Sequence, residues 1–159
     1  MAQLTWQREV PATMRRLDTL PDPDYADLFT TVADRAPQGP ALRWLRELVG
    51  TAPLQVRVVL GVAVLVQRTV LGLRPARTAD SRRGLLGWRV TGHGDDWVRL
   101  EASSSLMTGH LVYHLEGRRI SFATFVRYDR RVAAYVWPPV SRVHRLVGLY
   151  LLRYARTAA

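Results

Sequence analysis

The chain has 159 residues, 48% of them hydrophobic, which is enough to bury one core but not two, so we expect a single domain over residues 1–159. It contains no cysteine, which excludes disulfides, thiolate metal sites and thiol nucleophiles. The net charge is +10, but all 23 basic residues are arginine, and this compositional bias weakens the charge as a sign of an acidic partner.

The first half of the chain predicts one short strand and three helices. Val10–Leu17 is the candidate strand. An Asp-Pro sequence, in which the aspartate caps a helix and the proline takes its first position, predicts a helix over Pro23–Asp34. Apolar residues at helical spacing predict a second helix between Pro40 and Gly50. Leu54–Leu71 is almost wholly apolar and predicts a buried helix, although its valines leave a strand as an alternative.

The second half begins with a charged loop predicted over Arg74–Gly84 and then changes to a period of two, which is typical of an antiparallel meander. Its clearest part is Leu106–Tyr128, which forms a hairpin if Gly117-Arg118 is the turn. One face of this hairpin is continuously apolar, and the other is mixed and mostly polar. The opposed pairs on the apolar face are Leu115 with Ile120, Tyr113 with Phe122, Leu111 with Thr124, Gly109 with Val126, and Met107 with Tyr128.

The apolar face extends into neighbouring strands. Leu86–Val90 predicts a further strand, and Val132–Trp137 predicts another that two prolines end. Pairing back across Ser103–Ser105 places Ala102 opposite Met107, Leu100 opposite Gly109 and Val98 opposite Leu111.

The last segment, Ser141–Arg156, predicts an amphipathic helix. Its apolar stripe consists of Val143, Val147, Tyr150 and Tyr154, and arginines occupy another stripe. A sheet and a helix that each have one apolar face bury both faces by packing together. The sequence therefore predicts an α+β fold in which an antiparallel sheet packs on a long C-terminal helix.

This order of helices, meander and long C-terminal helix resembles the helix-grip fold of the START and polyketide-cyclase (SRPBCC) superfamily. The stretches LLGWRV, VRLEASSSLMTGHLVYHLEG and FATFVRYDRRVAAYVWPPVSRVHRLV are similar to an uncharacterised actinobacterial family of the domain-of-unknown-function type, near that superfamily. The resemblance implies one helix-grip domain, in which a curved sheet holds the C-terminal helix around an apolar cavity for a lipid, sterol or polyketide-like molecule.

The implied cavity has a candidate lining, drawn from the apolar face of the meander and from the last helix. The candidate ligand-binding residues are Trp88, Leu100, Met107, Leu111, Tyr113, Phe122, Tyr150 and Tyr154. The same alternation would arise if these side chains filled a solid core, because alternation reports burial. Both interpretations stay open at the level of the sequence.

No motif predicts catalysis, a metal or a cofactor. His110 and His114 are four residues apart on a strand, about 13 Å, which is too far to share an ion, and we expect both at the surface. His144 is expected on the surface of the last helix, and Ser103–Ser105 lack the glycines of a nucleophile elbow. The inner face shows neither a carboxylate nor a histidine, so binding is favoured over an enzyme.

Two functions follow as hypotheses. The first is binding of a small hydrophobic molecule in the cavity. The alternative is a peripheral membrane or protein-partner binding module that uses Leu54–Leu71 and the arginine-rich C-terminal helix. Nucleic-acid binding ranks third because the arginines are scattered without a reader motif. The N-terminus lacks the pattern of a signal peptide and no apolar run reaches about 20 residues, so we expect a cytoplasmic protein, with attachment to a membrane surface left open.

Overall fold

Seven antiparallel strands form one sheet in the computed structural model, which describes residues 4–74 and 84–158. The strands are β1 (Thr5–Gln7), β2 (Tyr25–Val32), β3 (Gly84–Leu85), β4 (Trp88–His93), β5 (Trp97–Ser103), β6 (Met107–Glu116) and β7 (Arg119–Tyr128). The helices are α1 (Ala12–Arg15), α2 (Ala41–Gly50), α3 (Leu54–Thr69) and α4 (Ala133–Ala158). The strand order is β1-β2-β7-β6-β5-β4-β3. Residues 75–83 of the predicted loop lie outside the described residues.

The long hairpin of β6 and β7 has the predicted register, with all five predicted pairs present. The next pairing, of β5 with β6, keeps the predicted face but is shifted by two residues, with Leu100 opposite Leu111. The shift arises because the turn is centred one residue further along the chain, on Ser105-Leu106 and not on Ser104-Ser105, with the backbone N–H of Ser104 donating to the carbonyl of Met107. Ser104 Oγ accepts hydrogen bonds from the backbone N–H groups of Leu106 and Met107, and Ser103 pairs with Thr108.

The prediction of a helix over Pro23–Asp34 is wrong, because this segment contains strand β2, paired with β7 along its whole length. Asp22 has φ +45°, whereas a residue that caps a helix N-terminus has an extended backbone. The segment alternates in burial, with one set of side chains on the face toward α4 and the other toward the opposite face. The side chains on the face toward α4 are those of Tyr25, Asp27, Phe29 and Thr31. A helix would have scattered these buried residues around its circumference.

The outer face of the sheet is covered, not solvated as its polar pattern indicated. Val10–Leu17 is not a strand: it contains the single turn of α1, and Val10 and Met14 pack on β2, β6 and β7. His110 lies under this cover, only 4% exposed, so its predicted surface position is wrong. Its Nδ1 lies 2.6 Å from Asp18 Oδ1. The N-terminal segment thus supplies the carboxylate that makes a buried histidine on this face tolerable.

The strand predicted over Val132–Trp137 is also wrong, because these residues begin α4. Ala133, Trp137 and Ser141 recur every four residues and are all buried, which is a helical period. Pro138 and Pro139 lie inside this helix without ending it. Ser141 Oγ donates a hydrogen bond to the carbonyl of Pro138 at 2.7 Å. The helical period of the buried side chains, set by packing on the sheet, outweighs the tendency of proline to end the element.

Helices α2 and α3 confirm two predicted helices, but α3 is not the buried helix that its composition predicted. Only Val56 and Leu60 are buried within it. The exposed fractions of Leu54, Val58, Val62 and Leu65 are 75%, 55%, 53% and 60%. Among the described residues no single helix is long and apolar enough to cross a membrane, and only α2 and α3 taken together reach that length and composition, with a bend of 107° between them.

A pair of helical glycines tests how tightly α4 packs on the sheet. A Cβ at Gly148 would lie 3.0 Å from Cζ of Phe29, which is fully buried and stacked on Phe122 and cannot move aside. We therefore expect Gly148→Ala to lower the free energy of unfolding by about 1–2 kcal/mol. A Cβ at Gly61 on α3 meets nothing within 4 Å. Gly61→Ala should therefore raise the free energy of unfolding by about 0.5–1 kcal/mol, because alanine loses less conformational entropy than glycine in a helix. Urea denaturation measures both, and a stabilising Gly148→Ala would contradict the packing.

Candidate functional site

Three small cavities lie between the inner face of the sheet and helices α2, α3 and α4. Their volumes are about 70, 50 and 50 Å³. Gln67 and His144 line both the first and the third cavity, and Tyr113 and Phe122 line both the second and the third. The three cavities therefore adjoin one another beneath α3, and we call them the interior cavities.

Seven of the eight candidate ligand-binding residues line the interior cavities. Met107 lines the first cavity, Tyr154 the second and Leu100 the third. Trp88 and Leu111 line both the first and the third cavity, and Tyr113 and Phe122 line both the second and the third. The eighth, Tyr150, lines none of them and is 38% exposed. The predicted phase of α4 was therefore rotated: its inner face carries His144, Val147, Gly148 and Leu151.

The walls of the interior cavities are largely apolar. None of the residues described around them is an aspartate, glutamate or arginine. The polar atoms come from uncharged side chains, chiefly those of Gln67, Thr124 and His144. An apolar wall with a few placed polar groups is the composition that small-molecule sites share.

His144 is the titratable group in this interior that the sequence pattern missed. Its Nε2 lies 2.8 Å from Thr124 Oγ1 on β7. Three aromatic rings surround the imidazole, with centroids 5.7 Å (Trp137), 5.9 Å (Phe29) and 6.0 Å (Phe122) away. Burial lowers the pKa of His144, and the positive charge of Arg145 lowers it further, against the opposing effect of Asp27.

His144 and Tyr113 are two titratable side chains that line the interior cavities. Burial raises the pKa of the Tyr113 hydroxyl, as it lowers that of His144.

Gln67 is held in one orientation by a tryptophan. Trp88 Nε1 donates a hydrogen bond to Gln67 Oε1 at 2.9 Å. The indole nitrogen is a donor only, so the Gln67 atom that it contacts is the carbonyl oxygen, and the amide NH₂ is the free end of the side chain. Nothing in the sequence pairs position 67 with position 88, because the contact depends on how α3 lies across β4.

Asp27 is a buried carboxylate on the inner face, which the sequence also missed because β2 was predicted as a helix. It accepts hydrogen bonds from the Tyr25 hydroxyl at 2.6 Å and from Trp6 Nε1 at 3.2 Å. The guanidinium of Arg145 lies 3.9 Å from the centroid of the Trp6 ring. Asp27 does not line the interior cavities, so this cluster ties β1 to β2 and α4 and contributes no lining.

The part of the chain that the structure describes holds no group of three histidine, aspartate or glutamate side chains able to bind a metal ion. The sheet and the long C-terminal helix define an α+β protein, and the described walls of its interior cavities are apolar and carry no aspartate, glutamate or arginine. No protein-family model, no curated protein and no solved structure matches the chain.

The depressed pKa of His144 makes a prediction about stability and pH. As the pH falls below about 6.5, unfolded His144 takes up a proton, whereas folded His144 stays neutral until its lower pKa is reached. The unfolded state then binds more protons, so stability falls with pH by at most about 1.4 kcal/mol per pH unit. We expect His144→Leu to remove this component, so that the variant loses less stability than the wild type between about pH 7.5 and 5.

Chemical denaturation at several pH values measures this difference. The buried pair of His110 and Asp18 is present in both proteins, so its contribution to stability cancels when the two are compared. Parallel losses of stability in the wild type and in His144→Leu would show that His144 is not buried in its neutral form.

Proposed function

We propose that the protein binds a small hydrophobic molecule in the interior cavities, between the sheet and the C-terminal helix, in a helix-grip arrangement like that of the START and polyketide-cyclase superfamily. The observation that carries the proposal is the set of three adjoining cavities with apolar, uncharged walls. The topology supports it, because β2 pairs with β7 on the β1 side of the sheet while α2 and α3 connect β2 to β3 at the opposite edge.

The ligand requires more room than the cavities now have, since pockets for small molecules measure about 300–1,000 Å³. Helix α3 is the element that can provide it. Val56 and Leu60 are its only buried residues, whereas α4 has six buried residues spread between Ala133 and Ala155, and β7 is buried over Ile120–Val126. Displacing α3 therefore exposes less apolar surface than displacing any other wall, and the three cavities merge beneath it.

Binding, and not catalysis, is the function proposed. The polar groups of the cavity walls are a histidine, a threonine, a glutamine and aromatic side chains, with no carboxylate among the described lining residues. A neutral imidazole beside a hydroxyl can orient a ligand by hydrogen bonding without any transfer of a group.

Native mass spectrometry of the purified protein, followed by organic extraction, tests the proposal. We expect an apolar adduct in one-to-one ratio that is lost on denaturation, or its appearance after incubation with fatty alcohols, sterols or polyketides. Ala63 lines the first and third cavities, so Ala63→Phe should lower occupancy at least about tenfold by filling the space. Val62→Phe places the same side chain at an exposed site of α3 and serves as the control.

A protein that stays bare with every ligand class, or equal occupancy in Ala63→Phe and Val62→Phe, would contradict binding in the interior cavities. The two variants share a helix and differ by one position, so a general effect on α3 would change both.

A second function, attachment to an anionic membrane surface, is favoured by the outer face of α3. This face presents the exposed side chains of Leu54, Val58, Val62 and Leu65, and α4, which packs against α3, adds Leu146 at 70% exposed. Neither helix contains an aspartate or a glutamate. The exposed arginines are Arg57 and Arg68 on α3 and Arg142 and Arg153 on α4. Apolar side chains beside arginines, without acids, fit the interface of an anionic bilayer.

Vesicle flotation tests the second function. We expect the protein to float with vesicles that contain phosphatidylserine and not with neutral phosphatidylcholine vesicles, and added salt should weaken the binding. Arg57→Ala with Arg68→Ala should lower the bound fraction several-fold, as each arginine contributes about 1 kcal/mol near the surface. Arg118→Ala with Arg119→Ala, at the turn between β6 and β7, removes two exposed arginines outside this face and should have little effect. Equal losses from both changes would point to net charge alone.

A further inference from the structure

Two polar side chains in the interior cavities have atoms without a partner. Gln67 and His144 each line the first and the third cavity, so both border the same two adjoining cavities. Each is fixed through one atom only: Gln67 through Oε1 and His144 through Nε2. Among the described residues the structure shows no hydrogen bond to Gln67 Nε2 or to His144 Nδ1.

The free atom of Gln67 is a donor. Because the Trp88 indole occupies the amide oxygen, the NH₂ group carries two N–H bonds and no lone pair that accepts. Rotating the amide would place NH₂ against the indole N–H and lose the bond, so the orientation is fixed by chemistry. A donor held in an apolar cavity favours a ligand that brings an acceptor oxygen.

The position of His144 adds a second hydrogen-bonding atom on the α4 side of the same space. The bond between Thr124 Oγ1 and Nε2 holds the imidazole ring, and the aromatic rings around it restrict rotation. If the threonine hydroxyl donates to Nε2, the proton of the neutral ring is on Nδ1, and that nitrogen also donates. The two side chains come from α3 and α4, so a ligand oxygen between them would contact both walls of the cavity.

The charge of the ligand follows from the walls. No arginine lines the interior cavities among the described residues, so a carboxylate placed there would lose its hydration without gaining a cation. A ketone, aldehyde or ester oxygen accepts the same hydrogen bonds at a far smaller cost of desolvation.

We propose that the interior cavities select an uncharged hydrophobic molecule with a carbonyl oxygen, which the Gln67 amide and the His144 imidazole hold between α3 and α4. This inference rests on the proposed function of hydrophobic-ligand binding and adds the chemical class of the ligand. The proposed selectivity requires more than a ligand of apolar surface and suitable shape, because a hydrocarbon of the same shape would leave the Gln67 amide unpaired.

Titration calorimetry at about pH 8 tests the inference with three ligands: hexyl methyl ketone, octane and octanoate. The affinity of each ligand is compared between the wild type and the variants, as in a double-mutant cycle. The double variant Gln67→Met with Trp88→Phe replaces both hydrogen-bonding partners by apolar groups, and Trp88→Phe alone is its control. We expect the double variant to lower the affinity for the ketone about fivefold or more relative to the control, and to leave the affinity for octane unchanged.

His144→Leu gives an independent reading if the double variant folds poorly, with His114→Leu as the matched control on the outer face of the sheet. It too should weaken ketone binding about fivefold and spare octane, and the wild type should bind the ketone more tightly than octanoate.

The outcomes separate the inference from the function on which it rests. Equal losses for ketone and octane would overturn the polar anchor while leaving binding in the cavities intact. Tighter binding of octanoate than of the ketone would overturn the uncharged class of ligand. Failure of the wild type to bind any of the three, together with a bare protein after exposure to larger apolar molecules, would overturn the function and the inference together.

Discussion

The pairing of β6 with β7 is the constraint on which the rest of the structure depends. Ten residue pairs join Met107–Glu116 to Arg119–Tyr128, and β2 and β5 add to the two sides of this hairpin. Side chains alternate between faces, so the register decides which residues reach α4. A slip of one residue would turn one of the two strands over, so that either His110 would enter the interior or Phe122 would leave it. The inner face, the cavities and the seat of α4 therefore depend on one hairpin.

Much of the sheet could be predicted from the sequence, because β6 and β7 alternate over ten residues each and the turn between them is short. Strand β2 could not. Its partner β7 lies about 90 residues further along the chain, and the Asp-Pro signal beside it is typical of a helix start. Pairing with a distant strand prevailed over this local signal, and the missed strand also concealed Asp27.

The interior polar groups were missed for a related reason. Helix α4 carries apolar residues on two stripes, an inner one with Val147 and an outer one with Leu146, so its sequence does not fix which stripe faces the sheet. The predicted stripe of Val143, Val147, Tyr150 and Tyr154 includes the inner Val147 but extends too far toward Tyr150, which left His144 outside it. The partners that make His144 and Gln67 tolerable inside, Thr124 and Trp88, belong to other elements. Such pairs become visible only once the strands are in register.

Helix α3 connects the two proposed functions through one physical property. Its inner side, with Leu60 and Gln67, closes the interior cavities, and its outer side leaves Val62 and Leu65 in water. A helix that is apolar on both sides is held weakly by the protein alone, since turning or lifting it exchanges one apolar surface for another. A bilayer that binds the lifted helix more tightly than the closed one would favour the open cavity by that same difference in free energy. By linkage, a ligand that requires the open cavity would strengthen membrane attachment by an equal factor, so the two functions are reciprocal properties of one helix.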